Sequence, residues 1–347
     1  MKVMHLLQST HFSGAENVVC QIISMIHDEK DIELFYCSRG GQIQEALQER
    51  KISFVPIGKL SVGEVKRVIK EQKPDIIHAH DMRASYIAAQ SCGKIPVVSH
   101  IHNNSFDSRG FSVKAIAYLI ASVKIKHIFW VSDSSFQGYA FHVLLKKKSE
   151  ILYNIINIDE LYKKMSLDNK KYDYDIVYLG RLTRPKNPVR LMHVFKGIIE
   201  KQSKVKIAVI GTGELESETY AEAKKLDILN NVTFLGFQNN PYKMLFDSKL
   251  MIMTSLWEGT PMCVLEAMSL GVPVVSTPTD GVKVVIENEK TGILSDNDEI
   301  LVSACCRILD NSELRDEMSK NAKKRALELM DIKSYKEKLL NVYAKLR

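Results

Sequence analysis

Residues 165–187 read MSLDNKKYDYDIVYLGRLTRPKN, and the architecture turns on this stretch. Its first ten residues, Met165 to Tyr174, are polar, charged and poor in apolar side chains, the composition of a linker. The next five, Asp175–Leu179, switch abruptly to a strand-like apolar run, and Gly180–Asn187 follow as a turn leading into a helical pattern. Working outward, the same alternation occupies both flanks. Toward the N-terminus, Lys2–Leu7, Ile32–Cys37, Ile52–Ile57, Asp75–Ala79, Pro96–Ile101, His127–Val131 and Glu150–Tyr153 read as strands, with helical patterns such as Ala15–His27, Val62–Gln72 and Ala84–Cys92 between them. Toward the C-terminus, Val205–Ile210, Val232–Leu235, Leu250–Thr254 and Val272–Ser276 continue the series, and 301–347 reads as almost wholly helical. Near-continuous Val/Ile strands are covered on both faces and therefore parallel. Strands that alternate with helices build doubly wound sheets. The expectation is an α/β protein of two Rossmann-like, doubly wound domains facing a cleft, with C-terminal helices. The expected domains are 1–168, 169–330, and a helix over 331–347 free to pack back toward the first.

Length and composition agree. A chain of 347 residues exceeds one ordinary core and suits two. Hydrophobic residues at 45% and charged ones at 26% exclude a disordered or fibrous chain. No apolar run reaches the roughly 18 residues that span a bilayer; Val113–Val131 is interrupted by Lys114, Lys124, Lys126 and His127. The N-terminus reads as a first strand without a cleavage site, and the six cysteines show no CxxC pairing, so a reducing, cytoplasmic setting is expected. The balance of 48 basic and 41 acidic residues gives +7, too diffuse for a nucleic-acid partner. Ser112–Lys126, with an apolar centre, and Lys146–Lys148 admit two readings. One is a peripheral contact with an anionic membrane; the other is a buried helix beside a solvated lysine turn.

Doubly wound sheets bind ligands beyond the carboxyl ends of their strands, so the residues after each strand carry the functional signal. Gly14, after the first strand, either eases a turn or lets the backbone approach a phosphate at a helix N-terminus. Gly180-Arg181-Leu182-Thr183-Arg184-Pro185-Lys186 offers a guanidinium fork and an ammonium, both suited to phosphate oxygens. Gly211-Thr212-Gly213 opens like a dinucleotide fingerprint, but Glu216 stands where a third glycine belongs. In Glu258-Gly259-Thr260-Pro261-Met262, Pro261 fits a first helical turn, and Glu266 follows among Val264, Leu265, Ala267 and Met268. A carboxylate in such apolar company needs a partner, and polyol hydroxyls are good ones. His78 and His80 share a strand face with Asp81 behind them, and His100 and His102 sit on the next strand. That spacing suits hydrogen bonding to ligand or backbone better than a metal centre. Asp173-Tyr174-Asp175 imitates a metal-binding DxD but enters a strand directly from the linker.

Taken in order, these motifs resemble the GT-B-fold retaining glycosyltransferases of family 4, in particular those of bacterial capsule, exopolysaccharide and cell-wall glycan synthesis. The resemblance rests on SGAE at 13–16, DIIHAH at 75–80, VVSHIHNN at 97–104, GRLTRPKN at 180–187, IGTG at 210–213, NVTFLGF at 231–237 and WEGTPMCVLEAMSLGVPVV at 257–275. The most specific element is the Glu258-to-Glu266 spacing within the last. The resemblance implies a nucleotide-sugar donor, UDP by family frequency, and a glycan or lipid-linked acceptor. It implies no cofactor and no metal. Arg181 and Lys186 would hold the diphosphate, Glu258 the transferred sugar and Glu266 the ribose. His102 would lie beside the reacting sugar, and the backbone at Phe237 would meet the base. Gly14, Gly180, Gly211, Gly213, Gly259, Thr260, Pro261 and Met262 would complete the donor site. Three positions depart from the family pattern: Ser13 for a glycine, Asn154-Ile155-Ile156-Asn157 for Asn-Gly-(Val/Ile)-Asp, and Asp133-Ser134-Ser135-Phe136, which lacks a basic residue. A non-catalytic GT-B partner subunit and a sugar-nucleotide epimerase are the competing functions.

Overall fold

The computed structural model describes residues 1–10, 14–102 and 110–347; Ser13, Asn103 and Asn104 of the motifs above lie outside them. The chain divides into two compact units, Met1–Ile155 together with Asp331–Arg347, and Ile156–Met330.

The first unit contains β1 (Lys2–Leu6), β2 (Glu33–Arg39), β3 (Phe54–Ile57), β4 (Ile76–His80), β5 (Val97–Ile101), β6 (Ile125–Trp130) and β7 (Ser149–Ile151). They pair in parallel in the order β3-β2-β1-β4-β5-β6-β7. Val/Ile-rich strands such as β4 and β5 are buried along their whole length, as strands covered on both faces must be. The second unit contains β8 (Ile176–Leu179), β9 (Ile207–Ile210), β10 (Val232–Gly236), β11 (Leu250–Met253), β12 (Val274–Ser276) and β13 (Gly292–Leu294), again parallel, in the order β10-β9-β8-β11-β12-β13. Its core packs Tyr178, Leu191, Phe195, Ile198, Val209 and Ile252 at zero exposure. Strand β13 is absent from the sequence reading because three residues, one of them glycine, carry no periodicity.

The units part at 155/156, earlier than the 168/169 boundary drawn at the polar stretch. The reason is the helix Ile158–Ser166, which packs within the second unit: the Tyr162 hydroxyl donates to Ser269 O at 3.0 Å, and Asn240 donates to Lys164 O at 2.8 Å. Asn157 caps this helix by accepting from Glu160 N at 3.0 Å, the task an aspartate performs equally well at that position. The C-terminal residues are helical over Asp298–Asp310, Ser312–Leu329 and Ile332–Leu346, with side-chain caps from Asn297, Asn311 and Asp331. All six cysteines are unpaired. Among the described residues no helix is long and apolar enough to cross a membrane.

In each sheet the strand order reverses at one point, between β1 and β4 in the first unit and between β8 and β11 in the second. At these points the connections diverge to opposite faces and leave a crevice at the carboxyl ends. The first crevice edge is built of histidines. Parallel register sets His5 beside His78 and His80 beside His100. All four are buried, and His102 follows β5 half-buried.

Burial pushes His5 and His102 down to about 3 and holds His78, His80 and His100 well below the ordinary histidine value. These rings are neutral in the folded chain and take up protons only on unfolding. Stability is therefore complete above an unfolded histidine's value near 6.5 and is lost as pH falls below it, by up to about 1.4 kcal/mol per pH unit for each ring. Urea unfolding at about pH 7 and about pH 5.5 should show a large loss at the lower pH; equal midpoints would contradict neutral burial.

Candidate functional site

The switch point of the second unit carries an ion pair. After β8 the chain turns through Gly180 and Arg181, makes one 3-10 turn at Arg184–Lys186, and enters the helix Pro188–Lys201 through Asn187 at φ +51°. After β11 it runs through Thr254–Pro261 into the helix Met262–Leu270. The two loops are tied together. Leu256 N donates to Pro185 O at 2.8 Å and Thr254 Oγ1 to Asn187 O at 3.0 Å. At their junction Lys186 Nζ lies 2.5 Å from Glu258 Oε1, the two side chains 14% and 9% exposed. Ser255 Oγ donates to the same carboxylate oxygen at 2.7 Å. Burial alone would lower the lysine, but the Glu258 carboxylate outweighs it and holds Lys186 above its ordinary value, so the ammonium stays charged.

Around this pair stand the other expected residues of the second unit. Arg181 is exposed and its guanidinium makes no hydrogen bond or ion pair with the described residues, while its carbonyl accepts from the Tyr178 hydroxyl at 2.8 Å. Its backbone is thus held and its cation is available to a ligand. Glu266 is 7% exposed in a helix buried along its whole length, and the Tyr242 hydroxyl donates to it at 3.3 Å. Pro261 is extended and immediately precedes that helix, which starts at Met262; the expected place inside the first turn is off by one residue because its ψ of 113° is not helical. Gly259, Thr260, Pro261 and Met262 therefore bring backbone groups to a helix N-terminus, where anions are favoured. Phe237, half exposed, follows β10.

Gly211 and Gly213 have a reason within the fold itself. At Gly211, φ +133°, a Cβ would stand 2.0 Å from Gly180 O; at Gly213 it would stand 2.3 Å from Leu182 O. These glycines let the loop after β9 lie against the loop after β8, with Leu182 N donating to Thr212 O at 2.9 Å. Gly180, Arg181 and Lys186 are thereby placed from both sides.

Gly14 and His102 belong to the first unit. Gly14 opens the helix Gly14–Ile26, and a Cβ there would meet nothing within 4 Å among the described residues. His102 Nε2 contacts His80 Nδ1 at 2.8 Å, and its backbone N donates to Asp81 Oδ1 at 3.0 Å. Ser255 and Tyr242, which hold the two glutamates, were not singled out in the sequence, nor was His5. Ser255 precedes Glu258 by one turn's spacing, the single local signal available. Tyr242 and His5 become visible only when the strand order is known.

A doubly wound unit with cations, carboxylates and a helix N-terminus at its switch point offers groups suited to an anionic, hydroxyl-bearing ligand. The comparisons agree. Residues 12–160 match the family described as "Glycosyltransferase Family 4" and residues 159–325 match "Glycosyl transferases group 1". The chain belongs to this family of glycosyltransferases. It is 26% identical to the Escherichia coli UDP-Gal:alpha-D-GlcNAc-diphosphoundecaprenol alpha-1,3-galactosyltransferase, over 99% of this chain and 96% of that protein. It is 32% identical to an uncharacterized glycosyltransferase of Methanocaldococcus jannaschii, over 61% of this chain and 58% of that relative's length. The fold is that of Anabaena HepE, solved with UDP and glucose, at a TM-score of 0.84, 19% identity and 99% coverage of both chains.

Removing one partner of a buried ion pair strands the other charge, at a cost of about 3–5 kcal/mol, whereas replacing both by apolar groups is nearly neutral. Lys186→Met and Glu258→Leu singly should each destabilise on that scale, and the double variant should recover most of the loss. Additive losses in urea unfolding would show that the pair is not coupled.

Proposed function

We propose that the chain transfers a sugar, with retention, from a UDP-sugar to a glycan or lipid-linked acceptor in surface polysaccharide synthesis. The observation that carries the reading is Arg181, its guanidinium without a partner among the described residues, beside the Lys186–Glu258 pair at the β8/β11 switch point. In this reading the bond between the sugar's anomeric carbon and the diphosphate breaks, and the growing negative charge falls on Arg181, Lys186 and the N-terminus of Met262–Leu270. The acceptor oxygen bonds to the same face of the anomeric carbon, and its proton passes to a phosphate oxygen of the leaving group. No separate carboxylate base is then required, and no metal at the diphosphate, since two cations and a helix terminus stand in its place. Glu258 serves twice, anchoring Lys186 through Oε1 and meeting the sugar, and Glu266 receives ribose hydroxyls; within the first unit, His102 and Gly14 keep the sugar and phosphate roles that the resemblance implies. UDP is supported by the complexes of HepE and by the name of the E. coli relative.

Arg181→Ala should lower turnover at least about 10²-fold, as loss of a transition-state charge donor does, with the fold unchanged. UDP and its sugars should raise the melting temperature of the wild type above other nucleoside diphosphates. Near-wild-type transfer by Arg181→Ala, or a panel in which UDP gives no shift, overturns the assignment.

The acceptor side includes a membrane contact. The helix Val113–Ser122 buries Ala115, Tyr118 and Ala121, yet its opposite face is also apolar: Val113, Ile116 and Ile120 are 86%, 42% and 61% exposed. Phe111, Val123, Val143 and Leu144 extend the exposed apolar set, and Lys124, Lys126, Lys146 and Lys147 stand exposed beside it in sequence. Apolar side chains with basic residues around them suit an anionic lipid surface. The chain should float with anionic vesicles at low salt, less at high salt, and Ile116→Asp/Ile120→Asp should abolish flotation. Absence of salt-sensitive flotation ends this reading.

A further inference from the structure

Five histidines converge where β1, β4 and β5 end, and the reaction proposed above uses only His102. The connections among them are specific. His102 Nε2 lies 2.8 Å from His80 Nδ1, and His80 Nε2 lies 3.0 Å from His5 Nδ1. Ring centroids in these pairs are 5.1 and 5.2 Å apart with planes only 23° and 21° from parallel, the spacing of rings meeting edge to edge. His100 and His78 instead lie against ring faces, 4.2 Å from His102 and 4.5 Å from His80 between centroids. His78 Nδ1 meets the Tyr343 hydroxyl at 2.6 Å.

Ring nitrogens of His5, His78 and His80, and of His80, His100 and His102, fall within 4.8 Å of one another, so a metal is the first alternative to weigh. The geometry opposes it. In an edge-to-edge pair the two lone pairs point at each other, and a transition metal bonded to both along that line would hold the nitrogens about 4 Å apart. Gaps of 2.8 and 3.0 Å take a proton. His78 and His100, stacked on faces, direct their nitrogens alongside that line.

Each link joins Nε2 of one ring to Nδ1 of the next and holds one proton. Burial keeps all three rings neutral, so each also carries one proton. The tautomers must then agree: all three rings are Nδ1–H, or all three are Nε2–H. The free ends are His102 Nδ1 and His5 Nε2, both buried and without a hydrogen-bond partner among the described residues, as are His78 Nε2 and both nitrogens of His100 outside the wire. In the Nε2–H state the unpaired donor is His5's, on a ring with 0% exposure. In the Nδ1–H state it is His102's, beyond the end of β5, and His5 keeps a bare lone pair. A buried N–H without an acceptor is the costlier orphan. Only the His102 end lies at the carboxyl edge of the sheet, where an acceptor can be supplied by ligand. Asp81, at φ +67°, fixes the backbone of His102 there.

We propose that His102, His80 and His5 form an imidazole wire in which His80 and His5 are positioning residues that lock His102 as the neutral Nδ1–H tautomer, so that it meets the sugar as a hydrogen-bond donor. The role toward sugar rests on the transferase reading; the tautomer does not.

Long-range ¹H–¹⁵N correlation spectra of the full chain labelled with ¹⁵N-histidine report the tautomer of each ring. His5, His80 and His102 should all appear as Nδ1–H. His5→Asn, which keeps an amide donor near the Nδ1 position, should preserve the pattern, and His5→Leu should let His80 and His102 populate both forms. His5→Leu should also lower kcat at least about tenfold with donor KM unchanged, as expected when a positioned group loosens, and His5→Asn should restore it. Mixed tautomers in the wild type, an unchanged pattern in His5→Leu, or one equivalent of tightly held zinc by elemental analysis overturns the wire. Loosened tautomers with unaltered kcat overturn the positioning role. Locked tautomers in a chain whose Arg181→Ala variant remains fully active would leave the wire standing and remove the transferase reading beneath it.

Discussion

The loops at the second unit's switch point, after β8 and β11, are joined by the contact between Lys186 and Glu258. A buried ammonium and a buried carboxylate are each costly alone, and at 2.5 Å each removes most of the other's penalty. Because they come from loops after β8 and β11, the contact also sets the register between those loops. The backbone bonds from Leu256 to Pro185 and from Thr254 to Asn187 follow from that register. Arg181 gains its availability in the same way. Glu258 is already engaged by the lysine and Ser255, and the Arg181 guanidinium makes no ion pair with the described residues.

Fold class and switch-point chemistry are legible in the chain because parallel strands covered on both faces are largely apolar: β8 reads Ile-Val-Tyr-Leu, and β4 and β5 break their apolar runs at His78, His80, Ser99 and His100. Gly180–Lys186 and Glu258–Glu266 are legible because the turns that follow such strands are local in sequence. What fails is whatever depends on partners brought from a distance. The boundary at 155/156 reflects a helix whose hydrogen bonds reach Ser269 and Lys164's neighbour Asn240, and no composition shift marks it. Strand β13 is held by pairing with β12 and has too few residues to carry a period.

The glycines show the same limit from the opposite direction. Gly211 and Gly213 suggest a phosphate cradle when read as a motif, yet each is required by the carbonyl of the neighbouring loop, 2.0 and 2.3 Å from where a Cβ would sit. A role in ligand binding and a role in loop packing leave the same letter in the sequence. Distances separate them, and here they show that glycine would be needed even if no ligand came.

The two units share one topological rule and meet it with opposite chemistry. In the second, the crevice edge concentrates formal charge, stabilised by an ion pair and a helix terminus. In the first, the equivalent edge between β1 and β4 holds neutral imidazoles, uncharged because burial has driven their protonation far below ordinary pH. Neutral rings can donate and accept in a fixed direction without adding charge, which suits hydroxyl groups; cations suit phosphates. The division also explains why so many histidines tolerate a dry environment. Each hydrogen bond between rings consumes one donor and one acceptor, while His5 Nε2, His102 Nδ1, His78 Nε2 and both nitrogens of His100 are left without a partner among the described residues.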